Sequence, residues 1–231
     1  MIDTMTLKRG VAEGEYYHLY NRGAFKTSLF KDARDYARIL FYLLYSQSPI
    51  IHRNILRTAK TFSSQEGFEV PEEETNDIIL NRFVELTAFC IMPNHFHIVV
   101  KETVSGGIAS YMQRVGTGYT KYFNTKYETR GRIFESRYQS KHVPDNNYLL
   151  YLSAYIHRNP RELKIWKDRE FEYPYSSLQD LTEANRWGGL LEADIIADQF
   201  ETTPNSNYRD FVETSTAKIF EEEIPELLTP A

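Results

Sequence analysis

The stretch Ile91-Met92-Pro93-Asn94-His95-Phe96-His97-Ile98-Val99-Val100 sets two imidazoles two residues apart in an otherwise apolar run. Side chains alternate faces along a β-strand, so Phe96, Ile98 and Val100 share one face while His95 and His97 stand together on the other. Neighbouring imidazoles can converge on one divalent ion; they can equally be cleft or surface histidines that hold nothing. A second cluster lies in Asn146-Asn147-Tyr148-Leu149-Leu150-Tyr151-Leu152-Ser153-Ala154-Tyr155-Ile156-His157-Arg158-Asn159-Pro160. Helical neighbours at spacings of three and four put Tyr148, Tyr151, Tyr155 and Asn159 along one stripe, beside an apolar stripe of Leu149, Leu152 and Ile156. A phenol can attack phosphorus when a metal polarises the phosphate and stabilises the developing charge. The same spacing also describes an aromatic stripe that only stiffens a core. Two imidazoles leave a divalent ion under-coordinated, and hard ions prefer oxygen. A helix turns about 100° per residue, so His157 points roughly 200° from Tyr155 and Asn159 only about 40°. A helix that aims Tyr155 at a phosphate therefore aims the Asn159 amide there too. His18, on an earlier apolar stretch, faces either this site or solvent.

The elements that must position these groups follow from period and punctuation. Residues 15–22 read as a strand closed by Gly23. Residues 31–46 carry Tyr36, Ile39, Leu40, Leu43 and Leu44 at the spacing of an amphipathic helix. The polar stretch from about 48 to 80 reads as an insertion or long loop with one short helix near Asn54 to Phe62. Strands at 82–90 and 95–101 join through Met92-Pro93-Asn94 as a hairpin. A helix follows Gly106-Gly107 despite Gly116 and Gly118, and 132–143 alternates as a strand. Asp145 is an N-cap for the tyrosine helix, which Pro160 stops. This order predicts an α+β fold: a small antiparallel sheet with helices packed on one face. The reading divides the chain into a domain at 1–185 and an acidic C-terminal extension at 186–231, ending Glu-Glu-Glu-Ile-Pro-Glu-Leu-Leu-Thr-Pro-Ala and expected to pack only in part.

Composition narrows the partners. With 42% hydrophobic residues the 231-residue chain reads as an ordinary soluble globular protein, and its single cysteine, Cys90, excludes an internal disulfide. Cys90 is expected as a small buried hydrophobe in a reducing, cytoplasmic setting. The N-terminus has no apolar signal-like core, and no apolar run reaches the roughly 18 residues of a membrane span. Net charge is −5, yet Lys101 to Lys141 holds eight Lys or Arg against three Glu, a local +5. Such a basic segment suits a polyanion. Arg130, Arg132 and Arg137, with Lys121 and Lys141, would meet phosphates, and Tyr119, Tyr122 and Phe123 could stack unpaired bases. Alternatively these aromatics are helix core and the arginines a solvated face.

Met92-Pro93-Asn94-His95-Phe96-His97-Ile98-Val99-Val100 resembles the HUH motif (His, hydrophobic, His) of single-tyrosine transposases. Ala154-Tyr155-Ile156-His157-Arg158-Asn159-Pro160 resembles the stretch that carries their nucleophilic tyrosine. Tyr20-Asn21-Arg22-Gly23, followed by Leu29-Phe30 and Lys31-Asp32-Ala33-Arg34-Asp35-Tyr36, resembles the opening of the REP-associated tyrosine transposases. The segments at 131–140 and 173–181 are similar to this family's too, in the right order over about 15–182. The resemblance implies a ferredoxin-like, RRM-like HUH fold that cuts and rejoins single-stranded DNA beside imperfect hairpins, as a monomer or homodimer. It implies Tyr155 as the nucleophile of a 5′-phosphotyrosine link and His95, His97 and Asn159 as ligands of Mg²⁺ or Mn²⁺. Two alternatives stand beside it: a non-catalytic, domesticated hairpin-binding protein on the same scaffold, and a metal-dependent phosphodiesterase in which water attacks. Both histidines, the tyrosine and Asn159 together favour the strand transferase, because a binding module needs none of them as a set.

Overall fold

In the computed structural model, which describes residues 11–52, 54–201, 207–216 and 219, the histidine strand is central. Val84–Met92 (β2) and His95–Glu102 (β3) pair antiparallel across the Pro93-Asn94 turn. Tyr16–Arg22 (β1) pairs antiparallel with β3 on one side and with Gln139–Val143 (β4) on the other, giving the order β2-β3-β1-β4. The register sets Tyr20 beside His97, His18 beside Val99 and Lys141 beside His18. Alternation then puts His18, Tyr20, Arg22, His95, His97 and Lys141 on one face and Leu19, Phe96, Ile98 and Ser140 on the other.

Helices cover both faces. Ala33–Tyr45 (α1) starts at Asp32, whose carboxylate accepts from the Arg34 and Asp35 amides. The short Ile55–Thr58 (α2) and then Glu72–Leu80 (α3) follow. Gly107–Lys126 (α4) begins on Glu102, which accepts from the Gly106 amide at 2.6 Å and the Ile108 amide at 3.3 Å. Because Glu102 follows Phe96, Ile98 and Val100 in alternation, α4 lies on their face, with α1 packed against it. Buried phenols join the layers: Tyr111 donates to the Leu43 carbonyl and Tyr119 to that of Leu29. Asn146–Arg158 (α5) crosses the opposite face, where its Tyr155 ring meets His97. The single helical layer expected from the sequence therefore describes α1 and α4, and α5 adds a second.

Two expectations shift. The segment read as an insertion at 48–80 holds α3 as well as a short helix, with Glu72, Glu73 and Glu74 in its first turn where the helix dipole favours acids. The strand read at 132–143 regularises only as β4. Upstream of it Glu135 pairs with the Arg22 carbonyl, and the Ser136 hydroxyl then bonds the Arg137 carbonyl, interrupting the ladder. After Leu178–Thr182 (α6), the described part of the extension packs through Asp194–Glu201 (α7) and Tyr208–Thr214 (α8), burying Ile196, Tyr208 and Val212. Its acidic end at 221–231 and the N-terminal residues read for a signal lie outside the described residues. No helix among the described residues is long and apolar enough to cross a membrane.

Candidate active site

His95 sits at the start of β3 and its Nδ1 bonds Asn94 Oδ1 at 2.7 Å. Asn94 uses its Nδ2 toward the Lys26 carbonyl, so Oδ1 is the acceptor and His95 Nδ1 carries the proton. Burial, with the Arg22 charge adding to it and the Asn159 contact opposing, pulls the His95 pKa down to about 4. The ring is neutral at pH 7, and its remaining nitrogen is a lone pair. That nitrogen, Nε2, lies 3.4 Å from Asn159 Oδ1. The Asn159 Nδ2 donates to the Tyr155 carbonyl at 3.0 Å and the Ile156 carbonyl at 3.2 Å, which turns Oδ1 toward His95. Two acceptors thus confront each other with no proton between them. Imidazole nitrogens and carbonyl oxygens bind divalent ions at about 2.0–2.6 Å, and a separation near 3.4 Å suits a shared ion.

His97 stands beside this pair. Its ring lies 5.1 Å from that of His95 at an interplanar angle of 87°. Burial first, then His18, His95 and Arg22, hold it neutral, well below the usual histidine range. Its Nδ1 bonds His18 Nε2 at 2.9 Å, which leaves Nε2 for a ligand. His18 is itself buried, pulled to a pKa of about 3 by burial and then by Lys141, and its ring stacks on Tyr20 and His97. An ion on His97 Nε2 requires Nδ1 to donate to His18, so His18 fixes the ligand's tautomer and orientation. The residues present therefore fit a divalent ion on two neutral imidazoles and one amide oxygen. Among the described residues there is no cluster of three His, Cys, Asp or Glu that could hold one instead.

Tyr155 stands over this group, half-buried, its ring 5.9 Å from that of His97 and nearly perpendicular. Burial raises its pKa, Glu162 and Tyr20 add to that, and Arg22 opposes it. Asn159 stays helical at φ −50°, ψ −39°, so the turn Asn159–Glu162 continues α5 and Pro160 does not unwind the helix at the candidate ligand. His157 points away, as the helical angle predicts. It is buried, bonded through Nδ1 to the Tyr208 hydroxyl at 2.6 Å and through Nε2 to the Ser177 hydroxyl at 2.9 Å. Sequence reasoning misses Arg22. It is exposed, pairs in register with His95, and its charge acts on His95, His97 and Tyr155. The signal that could find it is alternation on β1, which puts His18, Tyr20 and Arg22 on one face.

The basic segment divides. Lys121, Arg132 and Arg137 line a groove of about 1230 Å³ between α4 and the sheet, floored by Phe96, Met112 and Ile133. This groove lies on the face opposite His97. Arg130 is exposed on the loop leading to it, whereas Lys141 lies on the histidine face beside His18. Lys126 is committed to Asp32 and Asp35. The stacking expectation fails at Tyr119, which is 0% exposed, and at Phe123, at 6%. Both are helix core. Tyr122 is half-buried and donates to Asp35, while the Arg38 guanidinium covers its ring, so its face is occupied too.

Residues 57–159 match the family described as Transposase IS200 like, a span that includes His95, His97, Tyr155 and Asn159. No curated protein matches the chain. A solved REP-associated tyrosine transposase bound to a REP hairpin superposes with a TM-score of 0.50 at 12% identity, covering 75% of this chain and 82% of that one. At that identity the likeness concerns the fold, and at 75% of the chain it reaches beyond the family span. Residues 57–159 are therefore similar to the IS200-like transposases, and the chain shares a fold with the REP-associated relative.

Proposed function

We propose that this protein is a metal-dependent strand transferase for single-stranded DNA that recognises hairpins and passes through a 5′-phosphotyrosine intermediate. The observation that carries the reading is the convergence of His95 Nε2, Asn159 Oδ1, the His97 ring and the Tyr155 ring on one face of the sheet. The solved relative's REP hairpin is the kind of partner the reading assigns here. In the reaction, Tyr155 Oη bonds to phosphorus and the bond from phosphorus to the 3′ oxygen breaks. The phenol proton balances the 3′-hydroxyl that leaves, and return of that hydroxyl, or another, reverses the step. Mg²⁺ or Mn²⁺, bound by His95, His97 and Asn159, would polarise the phosphate and offset charge on its oxygens. Arg22 adds a fixed positive charge at the same place, opposing the burial that raises the Tyr155 pKa. Neutral histidines and a neutral amide leave the ion's full charge for the phosphate, which suits a metal that binds together with DNA.

The test is a labelled DNA hairpin with single-stranded tails, incubated with the protein and Mn²⁺ and run on a denaturing gel. The reading requires a covalent adduct that Tyr155→Phe abolishes without loss of hairpin binding. Free cleavage products without an adduct would assign attack to water. Shifted but uncut DNA would make this a binding protein.

A further inference from the structure

We propose that Phe25 is a stacking platform for an unpaired base beside the scissile phosphate, an inference that rests on the single-strand reading above. Phe25 is 95% exposed, the most exposed of the large hydrophobic side chains among the described residues. Isolated exposed hydrophobes are ordinary; this one stands on a loop built at a conformational cost. Phe25 at φ 56° and its neighbour Lys26 at φ 58° both occupy the left-handed region that side chains rarely adopt. Backbone held in such a state in consecutive non-glycine residues persists only where the surroundings enforce it, and it clusters at functional sites.

The surroundings enforce it strongly here. The Gly23 amide donates to the Asn94 carbonyl, the Ala24 amide to that of Ile133, and the Leu29 and Phe30 amides to that of Pro93. A Cβ on Gly23 would fall 2.2 Å from the Thr27 carbonyl oxygen, so the loop closes this tightly only with glycine there. Asn94 connects the loop to the chemistry: its amide nitrogen holds the Lys26 carbonyl and its oxygen holds His95 Nδ1. One side chain therefore sets both a candidate metal ligand and the loop that displays Phe25. Arg22 and Lys26, both exposed, flank the ring in sequence with positive charge. An exposed aromatic between cations on a rigid support is what a single strand's bases and phosphates need, and stacking tolerates any base. The buried Tyr119 and the covered Tyr122 supply no such surface. A rigid display also keeps the entropy cost of binding low.

The experiment uses two fluorescein-labelled strands at low salt without metal: a thymidine oligonucleotide, and the same backbone carrying abasic sites. Anisotropy titrations compare the wild type with Phe25→Ala, Phe25→Trp and Phe25→Leu, and thermal melts confirm folding of each. Phe25→Ala should weaken the thymidine strand by roughly fivefold or more, within the usual range for loss of one stacked base. It should leave the abasic strand unchanged, and Phe25→Trp should restore the difference while Phe25→Leu does not. Equal affinity of wild type and Phe25→Ala for thymidine overturns the proposal. So does equal loss on both strands, full rescue by leucine, or a wild type that binds neither strand. Covalent adduct formation by the wild type with Mn²⁺ is scored separately. Failure there sinks the strand-transferase reading while leaving the base-dependent binding result to decide Phe25.

Discussion

Asn159 is the residue on which the metal argument turns, because its oxygen is aimed by two backbone carbonyls that hold its nitrogen. Under the strand-transferase reading, Asn159→Ala removes one candidate ligand and keeps the imidazoles, so the Mn²⁺ concentration needed for adduct formation should rise by roughly tenfold or more, in line with the loss of a group that tunes a metal site. His157→Ala should leave that requirement unchanged and instead lower the melting temperature, since it empties a buried site and removes one hydrogen bond each from the Ser177 and Tyr208 hydroxyls, which keep their bonds to Phe89 and Ser153. A Mn²⁺ titration and a thermal melt on each variant check the pair; the opposite pattern would mean that α5 presents its other side to the metal. The buried imidazoles also set a pH dependence. His18 and His157 are pulled to about 3 and His95 to about 4, below the ordinary 6.5. A histidine with a depressed folded pKa takes its proton more readily when unfolded. Its stability contribution is complete above about pH 6.5 and declines toward the folded value, by up to about 1.4 kcal/mol per pH unit for each ring. Melting temperature should therefore fall steadily from about pH 7 to about pH 5. If Mn²⁺ binds the neutral rings as proposed, it should raise the melting temperature at the upper end of that range and much less at the lower. A flat profile over the range would contradict the burial of these rings.

At the scale of elements, the packing of α1 against α4 makes two nearby glycines behave oppositely. A Cβ on Gly118 would lie 2.5 Å from the Tyr42 ring, whereas a Cβ on Gly116 meets nothing within 4 Å. Gly116→Ala should stabilise the protein by about 0.5–1 kcal/mol through helix propensity. Gly118→Ala should destabilise it by about 1–3 kcal/mol, as overpacking usually does. Denaturant melts of the two single variants decide this, and equal effects would mean that the helices are not in close contact there. The sequence shows a helix across both glycines but not which one another helix approaches. The same division holds across the fold. The central hairpin is legible because alternation about Pro93-Asn94 is local, and α5 because Asp145 and Pro160 punctuate it. The side chains drawn onto the site from elsewhere are less legible. The sequence leaves His18 between two orientations and does not flag Arg22, since both depend on the β1 register against β3, a long-range pairing. Tyr119 illustrates the reverse error: its aromatic ring near basic residues suggests nucleic acid, and only the packing of α4 shows the ring closed off under Leu29. The second helical layer escapes the sequence for the same reason, because nothing in the α5 apolar stripe says which face of the sheet it covers.

At the scale of the whole molecule, the sheet separates two surfaces. His95, His97, Tyr155 and Arg22 belong to the α5 face, and Lys121, Arg132 and Arg137 line the groove beside α4 on the other. A strand engaging both would have to pass an edge or end of the sheet, and the loop bearing Phe25 stands at the end where β1 and β3 carry Arg22 and His95. Under the strand-transferase reading, affinity and chemistry are then separable. Arg132→Glu or Arg137→Glu should weaken DNA binding whatever the sequence, because binding to phosphates carries no base information. Each should also flatten the dependence of log affinity on log salt, by about 0.7 to 0.9 for each phosphate that is no longer neutralised. At saturating DNA and Mn²⁺, however, the rate of adduct formation should stay within about twofold of wild type, since neither arginine lies on the face that carries Tyr155. Binding titrations at several salt concentrations, paired with single-turnover rates at saturation, measure the two quantities independently. A charge reversal that left affinity intact would remove the groove from the DNA path. One that lowered the saturated rate as much as the affinity would mean that the groove and the tyrosine act on the same phosphates, contrary to their placement on opposite faces of the sheet.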